Sequence, residues 1–349
     1  MERRISRKVR VGDIYIGGGE KITVQSMLNR PAADIEGSVK QAIELEKAGC
    51  EIIRAAVPDM KATELIRALK KAVSVPVVAD IHFDYRLALA SLEAGVDKIR
   101  INPGNIGSIE RVKIVADACK KKNVPIRIGV NSGSLEKELL TKYGAPTAEA
   151  LAESAMGHVA LLEKCDFYDT VISIKSSDVE TMISAYEIVA SKCDYPLHLG
   201  VTEAGTHNMA LIKSSIGIGS LLIKGIGDTV RVSMTADPVC EVKAGFDILK
   251  AAGIKKDCPS IVSCPTCGRT KINLIALAQE VEKRLSDCRK QIKIAVMGCA
   301  VNGPGEAREA DIGIAGGDGC ALIFKKGEIV CKVSEEDAVD RLLEEIEKI

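Results

Sequence analysis

The sequence has no net charge, no long apolar run, no glycine-rich dinucleotide fingerprint and no second Cys-x-x-Cys pair. Each absence removes a class of protein. The 48 basic residues balance 48 acidic ones over 349 residues, which leaves no electrostatic footprint for nucleic acid or a membrane surface. No stretch approaches the roughly 18 apolar residues of a membrane span. The charged start, Met1 to Lys8, is not followed by the apolar core of an export signal. The chain is therefore expected to be cytoplasmic. Its 12 cysteines then read as metal ligands or reduced core residues, not as a disulfide framework. Cys50, Cys119, Cys165, Cys193 and Cys240 each stand alone beside a helical pattern and read as small core residues.

What is present is one repeated unit: an apolar, β-branched run, a polar residue, a loop, then a segment of helical period. The runs are Ile22–Gln25, Ile52–Ala55, Val77–Asp80, Lys98–Ile101, Ile126–Gly129, Val171–Ile174, Leu197–Gly200 and Val230–Ser233. Amphipathic segments such as 36–48, 62–73, 109–122 and 178–191 separate them. Alternating strands and helices imply a parallel sheet with right-handed crossovers. Eight units in about 250 residues is the size of a closed (β/α)8 TIM barrel. A doubly wound open sheet is the alternative, but no Gly-x-Gly-x-x-Gly follows the first strand. A hairpin over Val9 to Gly19 precedes the barrel, which is expected to span 1–253. A long mouth loop is expected over residues 133–147. A small α+β domain over 258–349 follows, with a helix at 274–285, a strand at 292–296, short strands near Ile312, Leu322 and Ile329, and a terminal helix from Glu335.

Residues at the C-terminal ends of barrel strands line the active site. Here that set is Arg54, Asp80 with His82, Arg100 with Asn102, Arg127 with Asn131, Lys175, Glu203, and Arg231 with Ser233. Five are cations and two are carboxylates. Like charges converging on one mouth repel unless an anion joins them. Guanidinium forks match phosphate oxygens, so a diphosphate is the expected ligand. Glu203 is the carboxylate expected to transfer a proton. His82, flanked by Asp80 and Asp84, reads as a proton shuttle, a hydrogen-bond partner of the substrate or, equally, a structural residue. His198 falls inside a strand and is expected to act from behind the mouth; His158 and His207 receive no role. Lys175 admits another chemistry, a Schiff base with a carbonyl substrate in an aldolase-like lyase whose tail is stapled by zinc.

The second domain carries Ser263-Cys264-Pro265-Thr266-Cys267-Gly268 and, after an apolar run, Gly298-Cys299-Ala300-Val301-Asn302-Gly303-Pro304-Gly305-Glu306. Two cysteines two residues apart on a Pro/Gly turn can point both sulfurs at one centre, and Cys299 adds a third. Soft thiolates suit zinc and iron–sulfur clusters alike. A zinc ribbon wants a second Cys-x-x-Cys; an iron–sulfur cluster on three thiolates and the harder carboxylate of Glu306 would keep one iron exchangeable.

Taken together, these stretches resemble the 4-hydroxy-3-methylbut-2-enyl diphosphate synthase family in its two-domain bacterial form. The resemblance runs nearly end to end. It includes Val24-Gln25-Ser26-Met27, the stretches Val78 to Arg86, Arg100 to Gly107, Ile126 to Asn131, Leu197 to Glu203 and Gly227 to Ser233, and both cysteine motifs. It implies a [4Fe–4S] cluster on Cys264, Cys267, Cys299 and Glu306, with Glu306 preferred to Cys258 as fourth ligand. It also implies a cyclic diphosphate substrate, 2-C-methyl-D-erythritol 2,4-cyclodiphosphate, and a ferredoxin or flavodoxin as electron donor. Arg54, Arg100, Asn102, Arg127, Asn131, Lys175, Arg231 and Ser233 correspond to substrate-binding positions and Glu203 to the catalytic carboxylate. One departure is Leu28-Asn29-Arg30, where the family has Thr-Asn-Thr.

Assembly follows from topology. Each barrel helix returns the chain to the face opposite the mouth, so the second domain begins at the far end of its own barrel. A helix of about 12 residues spans about 18 Å, and the connection from Gly253 to Ser263 reaches at most about 35 Å. Capping its own mouth would leave little slack. A twofold homodimer, each cluster domain capping the partner barrel, is expected.

Overall fold

The computed structural model describes residues 2–286, 288–299 and 309–349. A hairpin comes first, β1 (Val9–Val11) antiparallel to β2 (Ile14–Ile16). The eight apolar runs then all form strands: β3 (Thr23–Met27), β4 (Ile52–Ala56), β5 (Val77–Asp80), β6 (Lys98–Ile101), β7 (Ile126–Asn131), β8 (Thr170–Lys175), β9 (His198–Leu199) and β10 (Thr229–Val230). They pair in parallel in the order β8-β7-β6-β5-β4-β3-β10-β9, and a parallel bridge between Ile172 and Leu197 joins the two ends. The ring is the expected barrel. Its far end is plugged by the hairpin, whose Val11 and Ile16 pack on Ile52 and Val78 at the starts of β4 and β5.

The helices form because their apolar residues share one face. Helix Thr63–Ala72 buries Leu65, Ile66 and Leu69 and leaves its lysines outward. Each such aliphatic side chain contributes about 1.5–3 kcal/mol on burial. Asp34, Asp84, Asp178 and Asp237 cap their helices by accepting from backbone N–H groups. The segment expected as a plain loop over 133–147 is more ordered than that. It holds a 3-10 turn, Ser132–Ser134, and a helix, Lys137–Tyr143, and Thr147 caps the long helix Ala148–Lys164. Of the five lone cysteines, Cys50, Cys119 and Cys165 are core residues, whereas Cys193 and Cys240 are only half-buried.

The chain divides into two units, Met1–Ala252 and Gly253–Ile349. The second is a five-stranded sheet, β11 (Ser260–Ser263), β12 (Lys293–Met297), β13 (Ile312–Gly317), β14 (Cys320–Lys325) and β15 (Glu328–Val333), paired in chain order. The first three run parallel and the last two close as an antiparallel meander. Helices Leu274–Arg284 and Ala338–Glu347 share one core with Ile294, Val296, Ile312 and Ile314 of the sheet. Strand β11 was not expected; its four residues are at most half-buried, so periodicity does not mark it.

Candidate functional site

Asp80 organises the barrel mouth. Its carboxylate, 1% exposed, accepts from Arg54 Nη2 at 3.0 Å and Arg100 Nη1 at 3.1 Å, with His82 Nε2 at 3.4 Å. Burial pushes the Asp80 carboxyl up, but Arg54, His82 and Arg100 outweigh it and hold it well below the usual carboxylate range. Arg100 reaches this position only because residue 129 is glycine. A Cβ there would lie 2.6 Å from Arg100 Nη2 and 2.8 Å from its Cζ.

Arg231 is held by a residue that sequence reading missed. Glu241, buried in the first turn of helix Pro238–Ala251, accepts from Arg231 Nη2 at 3.3 Å, Ser26 Oγ at 3.0 Å and the Met234 N–H at 3.2 Å. Its position on a helix, not at a strand end, concealed it. Three of the five mouth cations are thus already paired. Arg127 and Lys175 are not: among the described residues Arg127 Nε and Nη1 have no hydrogen-bond partner, and burial lowers the Lys175 amine well below its ordinary value, helped by Arg231, Arg54 and Arg127. A guanidinium keeps its proton, so Arg127 stands charged and buried, a standing demand for an anion.

Arg54, His82, Arg100, Arg127, Asn131, Lys175, Glu203 and Arg231 line one cavity of about 300 Å³. Gly133, Ser134, Ser173 and Thr202 line it too; none carries a charge that would have drawn notice in the sequence. Asp80, Asn102 and Ser233 are not among its lining residues. Asn102 caps the short helix Pro103–Ile106 by accepting from the Gly104 N–H at 3.0 Å. Ser233 is half-exposed, with its Oγ buried and unpartnered among the described residues. Glu203 is exposed and sits at φ 50°, a left-handed conformation costly to any residue with a Cβ.

His158 and His198 also find places. His158 Nε2 lies 2.7 Å from Glu136 Oε1, and although burial pushes the Glu136 carboxyl up, the bonds from His158 and Ser154 bring it down to about 2. His198 is wholly buried inside the barrel, with neither ring nitrogen partnered among the described residues. The departing loop is tied down locally: Gln41 Nε2 donates to Asn29 Oδ1 at 2.7 Å.

In the second unit, β11 and β12 are parallel neighbours with Ser263 opposite Val296. Cys264 follows β11 and Cys299 lies two residues past β12, so both emerge at the same edge of the sheet. The Gly298 N–H donates to Cys264 Sγ at 3.1 Å. Cys267 is exposed, and the Arg269 backbone N–H, with the Arg269 and Thr270 side chains, lowers its thiol and favours thiolate. Cys258 precedes β11, so the whole strand, about 13 Å, separates it from the Cys264 edge. Cys320 opens β14 opposite Gly317 and lies at the thiol edge, two strands further along. Glu306 lies outside the described residues. Among the described residues no three His, Cys, Asp or Glu side chains are gathered as a metal site, and no helix is long and apolar enough to cross a membrane.

The barrel is similar to solved dihydropteroate synthases. That from Stenotrophomonas maltophilia is 14% identical and superposes with a TM-score of 0.52 over 70% of this chain and 97% of its own; that from Coxiella burnetii gives 14% and 0.52. At this identity the likeness speaks for the fold alone. Sequence comparison reaches further. The GcpE TIM-barrel domain matches residues 6–246 and the GcpE protein C-terminal domain residues 260–348. Proteins named 4-hydroxy-3-methylbut-2-en-1-yl diphosphate synthase (flavodoxin) from Clostridium perfringens and Clostridium acetobutylicum are 62% and 60% identical, each over the full length of both chains. With both domains matched in order and relatives this similar from end to end, the chain belongs to the GcpE family, as its motifs led us to expect.

Proposed function

We propose that this chain is an iron–sulfur oxidoreductase that opens the ring of 2-C-methyl-D-erythritol 2,4-cyclodiphosphate to give 4-hydroxy-3-methylbut-2-enyl diphosphate in the non-mevalonate isoprenoid route, with flavodoxin as electron donor. The observation that carries this reading is the cavity whose deepest cation, Arg127, has no anion of its own, in a chain 62% identical to a flavodoxin-named synthase. Arg127, Lys175 and the outward faces of Arg54, Arg100 and Arg231 hold the diphosphate, while Asp80 and Glu241 fix the directions of three guanidiniums. Glu203, on the cavity wall, supplies the proton that lets a hydroxyl leave as water. His82, tied to Asp80, hydrogen-bonds the substrate or relays that proton. Asn131, on the cavity wall, adds a neutral polar contact; Asn102 and Ser233, outside that lining, keep the substrate-binding roles that the family resemblance implies.

The donor set at the second unit's thiol edge fits a [4Fe–4S] cluster: soft sulfurs on adjacent strand ends, one already accepting a backbone N–H and one biased to thiolate. Held by Cys264, Cys267, Cys299 and Glu306, it would supply electrons singly, which zinc cannot do. The relatives' names do not favour the Schiff-base lyase reading of Lys175.

A homodimer completes the proposal. Helix His207–Ile223 exposes Met209, Ile212, Ile216 and Ile223, an apolar stripe of the kind a subunit interface covers. Anaerobic iron and sulfide analysis tests the whole reading. Wild type should carry about four of each per chain, and Cys264→Ser, Cys267→Ser or Cys299→Ser should lose them together with activity. Zinc without sulfide in the wild type would refute it.

A further inference from the structure

A barrel interior is ordinarily filled by layers of branched aliphatic side chains. Here the floor of the cavity, Arg127, and the layer beneath it are polar. Gln25 of β3, Lys98 of β6, Arg127 of β7 and His198 of β9 are all buried, and Lys98 and His198 have no exposed surface. Among the described residues, Lys98 Nζ, both ring nitrogens of His198, both amide atoms of Gln25, and Arg127 Nε and Nη1 have no hydrogen-bond partner. The groups around this layer are Arg54 of β4, Arg100 of β6, Lys175 of β8 and Arg231 from the end of β10, all basic. Among the described residues the carboxylates at this end of the barrel include Asp80 and Glu241, both already engaged by arginines, and Glu203, exposed on the cavity wall.

An amine placed here loses water on all sides and meets guanidinium charge without an acid. Both effects disfavour its ammonium form. Burial first, then Arg127 and Arg54, lower Lys98 well below its ordinary value. An anion seated on Arg127 reverses the second effect, because in a low-dielectric interior one negative charge a few ångströms away outweighs much of the neighbouring positive charge.

Resting on the reading of the mouth as a diphosphate site, we propose that Lys98 is the proton store of that site: neutral in the free barrel, it takes up a proton when an anion occupies the cavity above it. The uptake adds a cation beneath the ligand only when the ligand is present. It spares the empty barrel one more buried like charge. No bond is made or broken in this step; one proton moves from solvent to Lys98 Nζ.

Proton-linked calorimetry on the full-length, cluster-loaded protein tests this. The cyclic diphosphate and, separately, sulfate are titrated at neutral pH in two buffers of different ionisation enthalpy. Neither anion binds protons in that range, so any uptake belongs to the protein. Wild type should take up a proton with either anion, and Lys98→Met should lower the uptake by half or more. Lys98→Gln serves as a second variant should the first not fold, and His198→Gln should keep most of the uptake. Lys98→Met should also melt above wild type, since it removes a buried, unpartnered amine. The assignment is overturned if wild type binds either anion without uptake, if both Lys98 variants keep the wild-type value, or if His198→Gln alone abolishes it. Uptake with sulfate but no binding of the cyclic diphosphate would leave Lys98 in place and refute the substrate reading. If neither anion binds, the assignment falls.

Discussion

Replacing Asp80 by Asn changes one charge and almost no volume, yet it removes the centre on which two buried guanidiniums converge. The side chains of Arg54, Asp80 and Arg100 are only 10%, 1% and 7% exposed, so solvent screens the interaction little. Removing one partner of a buried ion pair costs about 3–5 kcal/mol, because the remaining charges keep their desolvation cost and now repel each other. In a unit of this size each kcal/mol moves the melting temperature by roughly 2–4 °C. Asp80→Asn should therefore lower the barrel's Tm by about 6–20 °C, read by circular dichroism or calorimetry. The pH dependence has a definite sign. Asp80's folded value lies below its ordinary 3.8, so its stabilisation is fully present above 3.8 and is lost only as the pH falls through the lower, folded value. The gap between wild type and variant should hold from neutrality down to that region and close in stronger acid. Sulfate or diphosphate should rescue the variant more than wild type, since an anion in the cavity replaces the missing charge. A variant melting within about 2 °C of wild type at neutral pH, outside the shift expected from the rule above, would refute this account of the mouth.

Other outcomes follow from single contacts. Gly129→Ala places a methyl against the Arg100 guanidinium and should weaken diphosphate binding while leaving iron and sulfide content unchanged; equal affinity by calorimetry would show that Arg100 can move aside. Glu203→Gln should bind substrate and lose turnover by about 10²–10⁴, the usual scale for a missing proton donor; an unchanged kcat removes Glu203 from the chemistry. Co-expressed Glu203→Gln and Cys267→Ser chains, each inactive alone, should regain activity as a heterodimer if the site is composite. Verified heterodimers that stay inactive would mean that each chain completes its own site.

The barrel was legible because strands buried on both sides must be apolar runs, and eight such runs at regular spacing leave little else to build. The cysteine motifs stood out because a Cys-x-x-Cys pair on a Pro/Gly turn and a further cysteine in a Gly-rich stretch are visible in the sequence without any fold. Strand β11 was hidden because a short, half-exposed edge strand carries no period. Glu241 was hidden for a different reason: its partner Arg231 is ten residues away in sequence and becomes its neighbour only when helix Pro238–Ala251 folds back on the barrel. Lys98 shows the limit most sharply. In the sequence it opens an apolar run and reads as a strand-edge lysine like many others. That it points into the barrel, with arginines above it and no acid beside it among the described residues, depends on strand register and ring closure. Sequence alone determined that the fold is a barrel and that basic residues gather at its strand ends. Only the tertiary structure decided which cations are already neutralised and which still await an anion, because charge pairing depends on distances that chain order does not contain.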